Sequence, residues 1–340
     1  MMLNLAFIGF GTVGRGLADL LLEKRGELKE KYNLEYRVVA ISDIRAGSIL
    51  NPAGIDLSEA LRRADSRESL EAMPAKKKGL SALETIRDGS SDTIVEVTWT
   101  NIKDGEPGYS HMRAALNGGK NVATTNKGPI ALHYRELADL AEKKNAKLRF
   151  EGTVLSGTPV FNLFNGPLAA CRVDAVRGIV NGTTNLILSE MEKGRGYAEV
   201  LREAQKLGYA EADPTMDVEG WDAAAKAAIL ANHFFGADVK PENVARQGIS
   251  TISLEEVLDA KAKGERIKLM ARAERVDGKL EVSVKPTRLP LQDPLANIMG
   301  VTNALTFTTD CLGDVTIVGP GAGRRATGYS LLTDLISMVH

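Results

Sequence analysis

Apolar and polar positions recur in a fixed order along the first part of the chain: a short apolar run, a turn, then a longer amphipathic stretch. The apolar runs fall at residues 3–8 (LNLAFI), 37–41 (RVVAI), 93–97, 121–123 and 147–150. Strands alternating with helical patterns predict a parallel sheet with helices on both faces, an α/β fold of the Rossmann, doubly wound type. Residues 49–89 are polar and turn-rich, and predict helix and loop excursions. Beyond residue 150 the texture changes. Helical patterns cover 197–207, 222–235 and 254–263, and strand patterns cover 268–274 and 280–286, which predicts a second, α+β domain. The tail repeats strand, glycines and helix at 314–318, 319–323 and 327–339, and is expected to return to the first domain. The expected division is therefore 1–145, completed by 314–340, and 146–313.

The first turn carries chemistry. Gly9, Phe10, Gly11, Thr12, Val13 and Gly14 form GxGxxG directly after a strand and before an apolar helical segment, the context a dinucleotide fingerprint requires. Glycines permit the turn and the close backbone approach, and the free amides at the helix start hold the anion. The second strand runs into Asp43 and Arg45. Asp43 suits the ribose hydroxyls of NAD, whereas Arg45 suits the 2′-phosphate of NADP. Both signals are present, so the choice between NAD and NADP stays open. The glycine turn at 319–323, opened by Gly319, is expected near the cofactor or the cleft, or is a plain tight turn.

Three further segments are candidates for a substrate site. Lys127 follows the strand at 121–123, at the carboxyl end of the sheet, where ligands of open α/β folds bind. Residues 151–159 are dense in small residues, and residues 181–185 read NGTTN, suited to hydrogen bonding or to capping a helix. Residues 208–226, GYAEADPTMDVEGWDAAAK, place Glu211, Asp213, Asp217, Glu219 and Asp222 just ahead of a single lysine, Lys226. Asp222 and Lys226 are four apart and share one face of a helix, as a solvated ion pair or as part of a site.

Composition narrows the class. The 340 residues carry a net charge of −1, which gives no electrostatic case for nucleic acid or a membrane surface. No apolar segment reaches about 18 residues, and the first strand is too short for a signal peptide. Cys171 and Cys311 show no metal spacing and are expected to be buried small hydrophobes in a cytoplasmic protein. His111, His133, His233 and His340 are scattered, with no triad and no zinc cluster. Lysine is therefore the leading proton carrier.

The motifs GFGTVGRG, TTNKGPIA, FEGTVLSGTP, GIVNGTTNLIL, the acidic segment ending at Lys226, and GPGAG occur in the order of one family. Together they resemble homoserine dehydrogenase essentially from end to end. The resemblance implies NAD(P)-dependent interconversion of L-homoserine and L-aspartate 4-semialdehyde, and makes the second domain the substrate-binding, catalytic and dimerisation domain of a homodimer. It implies that Lys226 donates a proton to the aldehyde oxygen in reduction and accepts it in reverse, with Asp222 beside it. Lys127 becomes a second cleft lysine, between nicotinamide and substrate. Glu211 would hold the substrate amine, Asp217 stands at a family acidic position, and Gly182 and Thr183 fall in the substrate loop. Glu151, Val154, Ser156 and Thr158 match a loop that coordinates a monovalent cation, usually sodium, largely through backbone carbonyls. Thr98 suits a nicotinamide or ribose contact, in a segment (98–108) longer than expected. Gly328 stands where the family usually has alanine, a change expected to be neutral. The chain reaches His340 soon after GPGAG, so a C-terminal ACT domain and threonine feedback through it are not expected. Two rivals share parts of the pattern. An aspartate dehydrogenase-like enzyme would lack NGTTN followed by the acidic–lysine helix. A non-catalytic NAD(P)-binding sensor would be favoured by loss of Lys127 or Lys226, and both are present.

Overall fold

The computed structural model of the protein describes residues 2–339. The chain forms two compact units, Met1–Asn162 with Gly323–His340, and Leu163–Ala322. His340, one of the scattered histidines, lies outside the described residues.

The first unit is built on β1 (Met2–Ile8), β2 (Glu35–Asp43), β3 (Gly47–Leu50), β4 (Lys77–Lys78), β5 (Thr93–Glu96), β6 (Asn121–Thr124) and β7 (Leu148–Arg149). Their order is β4-β3-β2-β1-β5-β6-β7. The five strands from β2 to β7 in that order pair in parallel, with helices between them in sequence. Leu5, Phe7, Ile94, Val95, Val122 and Ala123 are all fully buried. Such strands are covered on both faces, which is why they read as unbroken apolar runs rather than as alternation. Two antiparallel strands at one end of the sheet, β3 and the edge strand β4, occupy the region whose polarity predicted only helix and loop. β3 is four residues long and β4 is an exposed Lys-Lys pair, so neither carries a hydropathy signal. The helix Arg324–Ser337 packs against the helix Thr12–Glu23, with Leu331, Leu332 and Leu335 in the core.

The second unit is built on β8 (Val173–Ile179), β9 (Ala245–Arg246), β10 (Glu265–Val276), β11 (Lys279–Pro290), β12 (Thr302–Thr309) and β13 (Gly313–Pro320), in the order β13-β12-β8-β10-β11-β9. All pairings are antiparallel except that of β9 with β11. The β10–β11 hairpin closes on Asp277-Gly278, both at positive φ (47° and 78°). That is the two-residue turn whose twist matches the flanking strands. Helices Gly182–Met191, Trp221–Phe235 and Leu254–Ala262 pack on the sheet.

Two expected boundaries are corrected. β7 and the loop after it belong to the first unit, so the break falls at 162/163 and not at 145/146. The strand around 314–318 pairs with β12 inside the second unit, so the return to the first begins at Gly323 and not at 314. Cys171 is half-buried and Cys311 exposed, and both are free thiols, against the expectation that both are buried.

Candidate active site

In the first unit the fingerprint forms at the carboxyl end of β1. Gly9 has φ +93°, and a Cβ there would lie 2.7 Å from the Val97 carbonyl oxygen, so the turn admits no side chain. Gly11 precedes the helix Thr12–Glu23, whose first turn carries no acidic residue and no side-chain cap. Open space surrounds the position a Cβ would take on Gly11. Uncapped amides at the positive end of a twelve-residue helix, reached over bare backbone, fit a pyrophosphate. Asp43 sits at the end of the neighbouring β2. Its Oδ2 accepts from Phe10 N at 2.8 Å and its Oδ1 from Arg45 N and Ala46 N at 2.8 Å each. Burial raises its pKa, but these three amides outweigh that and hold it below the usual carboxylate value. Asp43 therefore braces the glycine turn and stays an anion, with Arg45 exposed beside it.

At the next strand ends, Thr98 follows β5 and Lys127 begins the helix Lys127–Lys143, half-buried, after the Asn126 cap. Glu96, fully buried at the end of β5, accepts hydrogen bonds from both Thr98 and Asn126. Neither Glu96 nor Asn126 was among the residues expected from sequence. The available signal was a lone charged residue closing the run TIVE.

The loop after β7 turns on Glu151. Its carboxylate accepts from the main-chain amides of Val160, Phe161 (3.1 Å) and Asn162 (2.6 Å). Burial still leaves its pKa raised against those bonds. That carboxylate is thus spent on the loop, and what Glu151 can offer a cation is its main-chain oxygen. The short helix Gly152–Leu155 follows, with Val154 buried, then Ser156 at φ +53° and the buried Thr158. Ser156 Oγ lies 2.7 Å from Thr327 Oγ1. The terminal carbonyls of a helix have no partners within it and carry partial negative charge. This loop suits a monovalent cation through main-chain oxygens. Among the described residues no group of three or more His, Cys, Asp or Glu could hold a metal ion.

The second unit gathers the acidic–lysine motif. Lys226 is only 6 % exposed, and its Nζ pairs with Asp222 Oδ2 at 2.8 Å and donates to the Val180 carbonyl at 2.6 Å. Side-chain exposures of 8 % and 12 % rule out a solvated surface pair. Asn181 ties the cluster together. Its Nδ2 donates to Asp217 Oδ1 (2.7 Å) and Asp222 Oδ2 (3.0 Å), while its Oδ1 caps the helix Gly182–Met191 through Thr184 N (2.9 Å). Capping and hydrogen bonding in the site, weighed as alternatives for NGTTN, are both done by Asn181, which sequence did not single out. Thr183 Oγ1 donates to the Tyr209 carbonyl at 2.8 Å, and Gly182 opens the helix. Burial and then the Asp222 charge push the Asp217 carboxyl up, only partly offset by Asn181, Thr183 and Lys226. Glu211 stays exposed on the loop, its carbonyl accepting from Gln205, outside this knot. Gly319 lies on β13 opposite Asn303.

A fingerprint on a parallel sheet, in one chain with a buried lysine held by carboxylates, defines a nicotinamide-nucleotide-dependent oxidoreductase. The family model for the homoserine dehydrogenase NAD-binding domain matches residues 9–151, and that for homoserine dehydrogenase matches residues 159–336. The chain belongs to the homoserine dehydrogenase family. It is 43 % identical to an NAD(+)-dependent homoserine dehydrogenase of Pseudomonas canavaninivorans, over 98 % of this chain and 95 % of that one. A crystal structure from Archaeoglobus fulgidus assigned to the same enzyme superposes with TM-score 0.88 at 39 % identity, covering 99 % of both chains. A hyperthermophilic archaeal homoserine dehydrogenase in complex with NADPH gives 0.84 at 32 % identity, covering 99 % of this chain and 97 % of that one. The enzyme interconverts L-homoserine and L-aspartate 4-semialdehyde with NAD(P), in the threonine, methionine and isoleucine branch. Neither rival reading is favoured.

Proposed function

We propose that Lys226 is the proton donor and acceptor of this homoserine dehydrogenase, in a site completed by Asp222, Asp217, Gly182 and Thr183. The observation that carries the reading is the buried Lys226 ammonium set between the Asp222 carboxylate and the Val180 carbonyl. When bound, the nicotinamide nucleotide supplies or takes the hydride. In the reducing direction Lys226 Nζ gives its proton to the oxygen that becomes the homoserine hydroxyl, and in oxidation it takes that proton back. Asp222 favours the charged lysine and fixes its direction. Asp217 and the exposed Glu211 supply negative charge for the substrate's ammonium. Lys127, at the start of its helix, serves the nicotinamide end together with Thr98. Gly9 to Gly14 and the helix they open hold the pyrophosphate, with Asp43 or Arg45 at the adenosine ribose. Main-chain oxygens of Glu151, Val154, Ser156 and Thr158 would hold a monovalent cation, sodium by family resemblance. That resemblance also supports a homodimer built through the second unit, and its biosynthetic role supports a cytoplasmic setting.

The test follows nicotinamide absorbance with purified protein and L-homoserine at alkaline pH, with NAD⁺ and NADP⁺ in parallel, with and without sodium. Homoserine-dependent reduction is expected. The ratio of the two rates ranks Asp43 against Arg45 as the dominant contact. Binding of both nucleotides without reduction of either would sink the catalytic reading.

A further inference from the structure

The polar side chains at the carboxyl ends of β5 and β6 converge on a group that the mechanism above leaves unused. Glu96 is fully buried, 0 % exposed, at the end of the buried strand β5. Its Oε1 accepts from the Thr98 hydroxyl and, at 3.3 Å, from the Thr98 main-chain N–H, with His111 Nδ1 3.4 Å away. Its Oε2 accepts from Asn126 Nδ2 at 3.2 Å, and Thr124 Oγ1, which donates to the Glu96 main-chain carbonyl at 2.8 Å, lies 3.4 Å from Oε2. A buried carboxylate is tolerated only where donors surround it, and here donors come from three segments of the chain.

Asn126 carries the effect onward. Its Nδ2 also donates to the Trp99 carbonyl at 3.2 Å, and its Oδ1 accepts from Gly128 N at 3.3 Å, capping the helix that begins with Lys127. Glu96 Oε2 and the Trp99 carbonyl both accept from Nδ2 while Gly128 N–H donates to Oδ1, so Glu96 is one of three partners that set which way the Asn126 amide faces. Nδ2 points to Glu96 and Trp99, and Oδ1 to the helix. On the other side Glu96 holds the main chain at Thr98, beside the place where Gly9 abuts Val97 and Thr98.

We infer that Glu96 is a positioning residue for the nicotinamide end of the first unit, setting Thr98 directly and the start of the Lys127 helix through Asn126. This rests on the reading that Thr98 and Lys127 serve the cofactor. Glu96→Gln keeps the shape but faces an NH₂ group towards donors, so one side of the network must let go. Circular dichroism should show a folded variant. Its dissociation constant for the nicotinamide nucleotide, read from the fluorescence of the exposed Trp99, is expected to rise about tenfold. The KM for nucleotide should rise with it, while the KM for L-homoserine stays within about twofold. A carboxylate that merely filled space would not split the two KM values. Nucleotide affinity and KM within about twofold of the parent in a folded variant would overturn the proposal. Should Glu96→Gln not fold, Asn126→Ala decides. It keeps Glu96 and Thr98 but removes the relay, and is expected to weaken nucleotide binding by a similar factor, unchanged affinity again overturning the idea. Nucleotide binding is read without turnover. A parent protein that binds nucleotide yet leaves homoserine untouched would defeat the proposed reaction and leave this test standing.

Discussion

Lys226 is costly to keep. A lysine that is 6 % exposed forgoes most of its hydration, and the Asp222 carboxylate and Val180 carbonyl replace only part of that shell. Such an arrangement persists where an ammonium has work to do. Lys226→Ala is expected to lower kcat by about a hundred- to ten-thousand-fold, the usual contribution of a positioned acid–base group. Nucleotide affinity should stay near the parent value, because the fingerprint lies in the other unit. Steady-state kinetics with a separate nucleotide titration checks both, and a retained kcat would remove Lys226 from its role. The spacing of Asp222 and Lys226 was legible in the sequence because four residues on a helix define a face. Asn181, which bonds both Asp217 and Asp222, was not legible, because its partners lie 36 and 41 residues away and only tertiary structure brings them together. Glu96 was hidden for the same reason, its partners other than Thr98 coming from the end of β6, the Asn126 cap and the helix Gly108–Asn117.

At the scale of elements, the helices Thr12–Glu23 and Arg324–Ser337 touch backbone to backbone. A Cβ on Gly328 would lie 2.4 Å from the Gly16 carbonyl carbon and 2.6 Å from Leu17 N, and one on Gly16 would lie 2.2 Å from the Arg324 carbonyl oxygen. Gly328 was expected to be a neutral replacement for alanine. Here it is half of a glycine pair that sets the distance between the fingerprint helix and the C-terminal helix. Gly328→Ala should therefore cost about 1–3 kcal/mol as overpacking, despite alanine's better helix propensity. A lower urea midpoint at unchanged slope would show it, and a midpoint equal to the parent's would mean the two helices separate freely. Strands whose short apolar runs alternate with helices, and helices with an apolar stripe, were readable from the sequence. β3 and β4 were not, because a four-residue strand set in a polar, turn-rich region and a two-residue lysine pair stand out from neither their surroundings nor a period. β8 and β12 also escaped notice. Thr306 and Thr308 find partners on β13, Thr316 and Asp314, and Arg177 pairs with Asp293, contacts that hydropathy does not reveal.

For the molecule as a whole, buried ionisable groups shape the dependence of stability on pH. In the first unit the Asp334 carboxyl is raised well above its usual value by burial and then by the nearby Glu151 charge. A folded-state carboxyl pKa above the unfolded one means that the folded state binds the extra proton, so this contribution weakens as pH climbs between the two values. Lys268 in the second unit works at the other end of the scale. It is completely buried on β10, where Nζ donates to Asn185 Oδ1 (3.0 Å) and the Ile298 carbonyl (2.7 Å). Burial pushes its pKa from 10.5 down to about 8, against the favourable charge of Glu192. Below pH 8 both states hold the proton and the folded state bears the full penalty of the buried charge. Between about 8 and 10.5 the unfolded chain stays protonated while the folded protein does not, so stability rises with pH. The full span corresponds to about 3 kcal/mol. Lys268→Met keeps the length of the side chain and removes the titration. Urea unfolding of parent and variant at several pH values cancels whatever the other lysines contribute. The parent is expected to gain about 3 kcal/mol on the variant across that interval, and parallel stability curves would show that Lys268 stays charged in the folded protein.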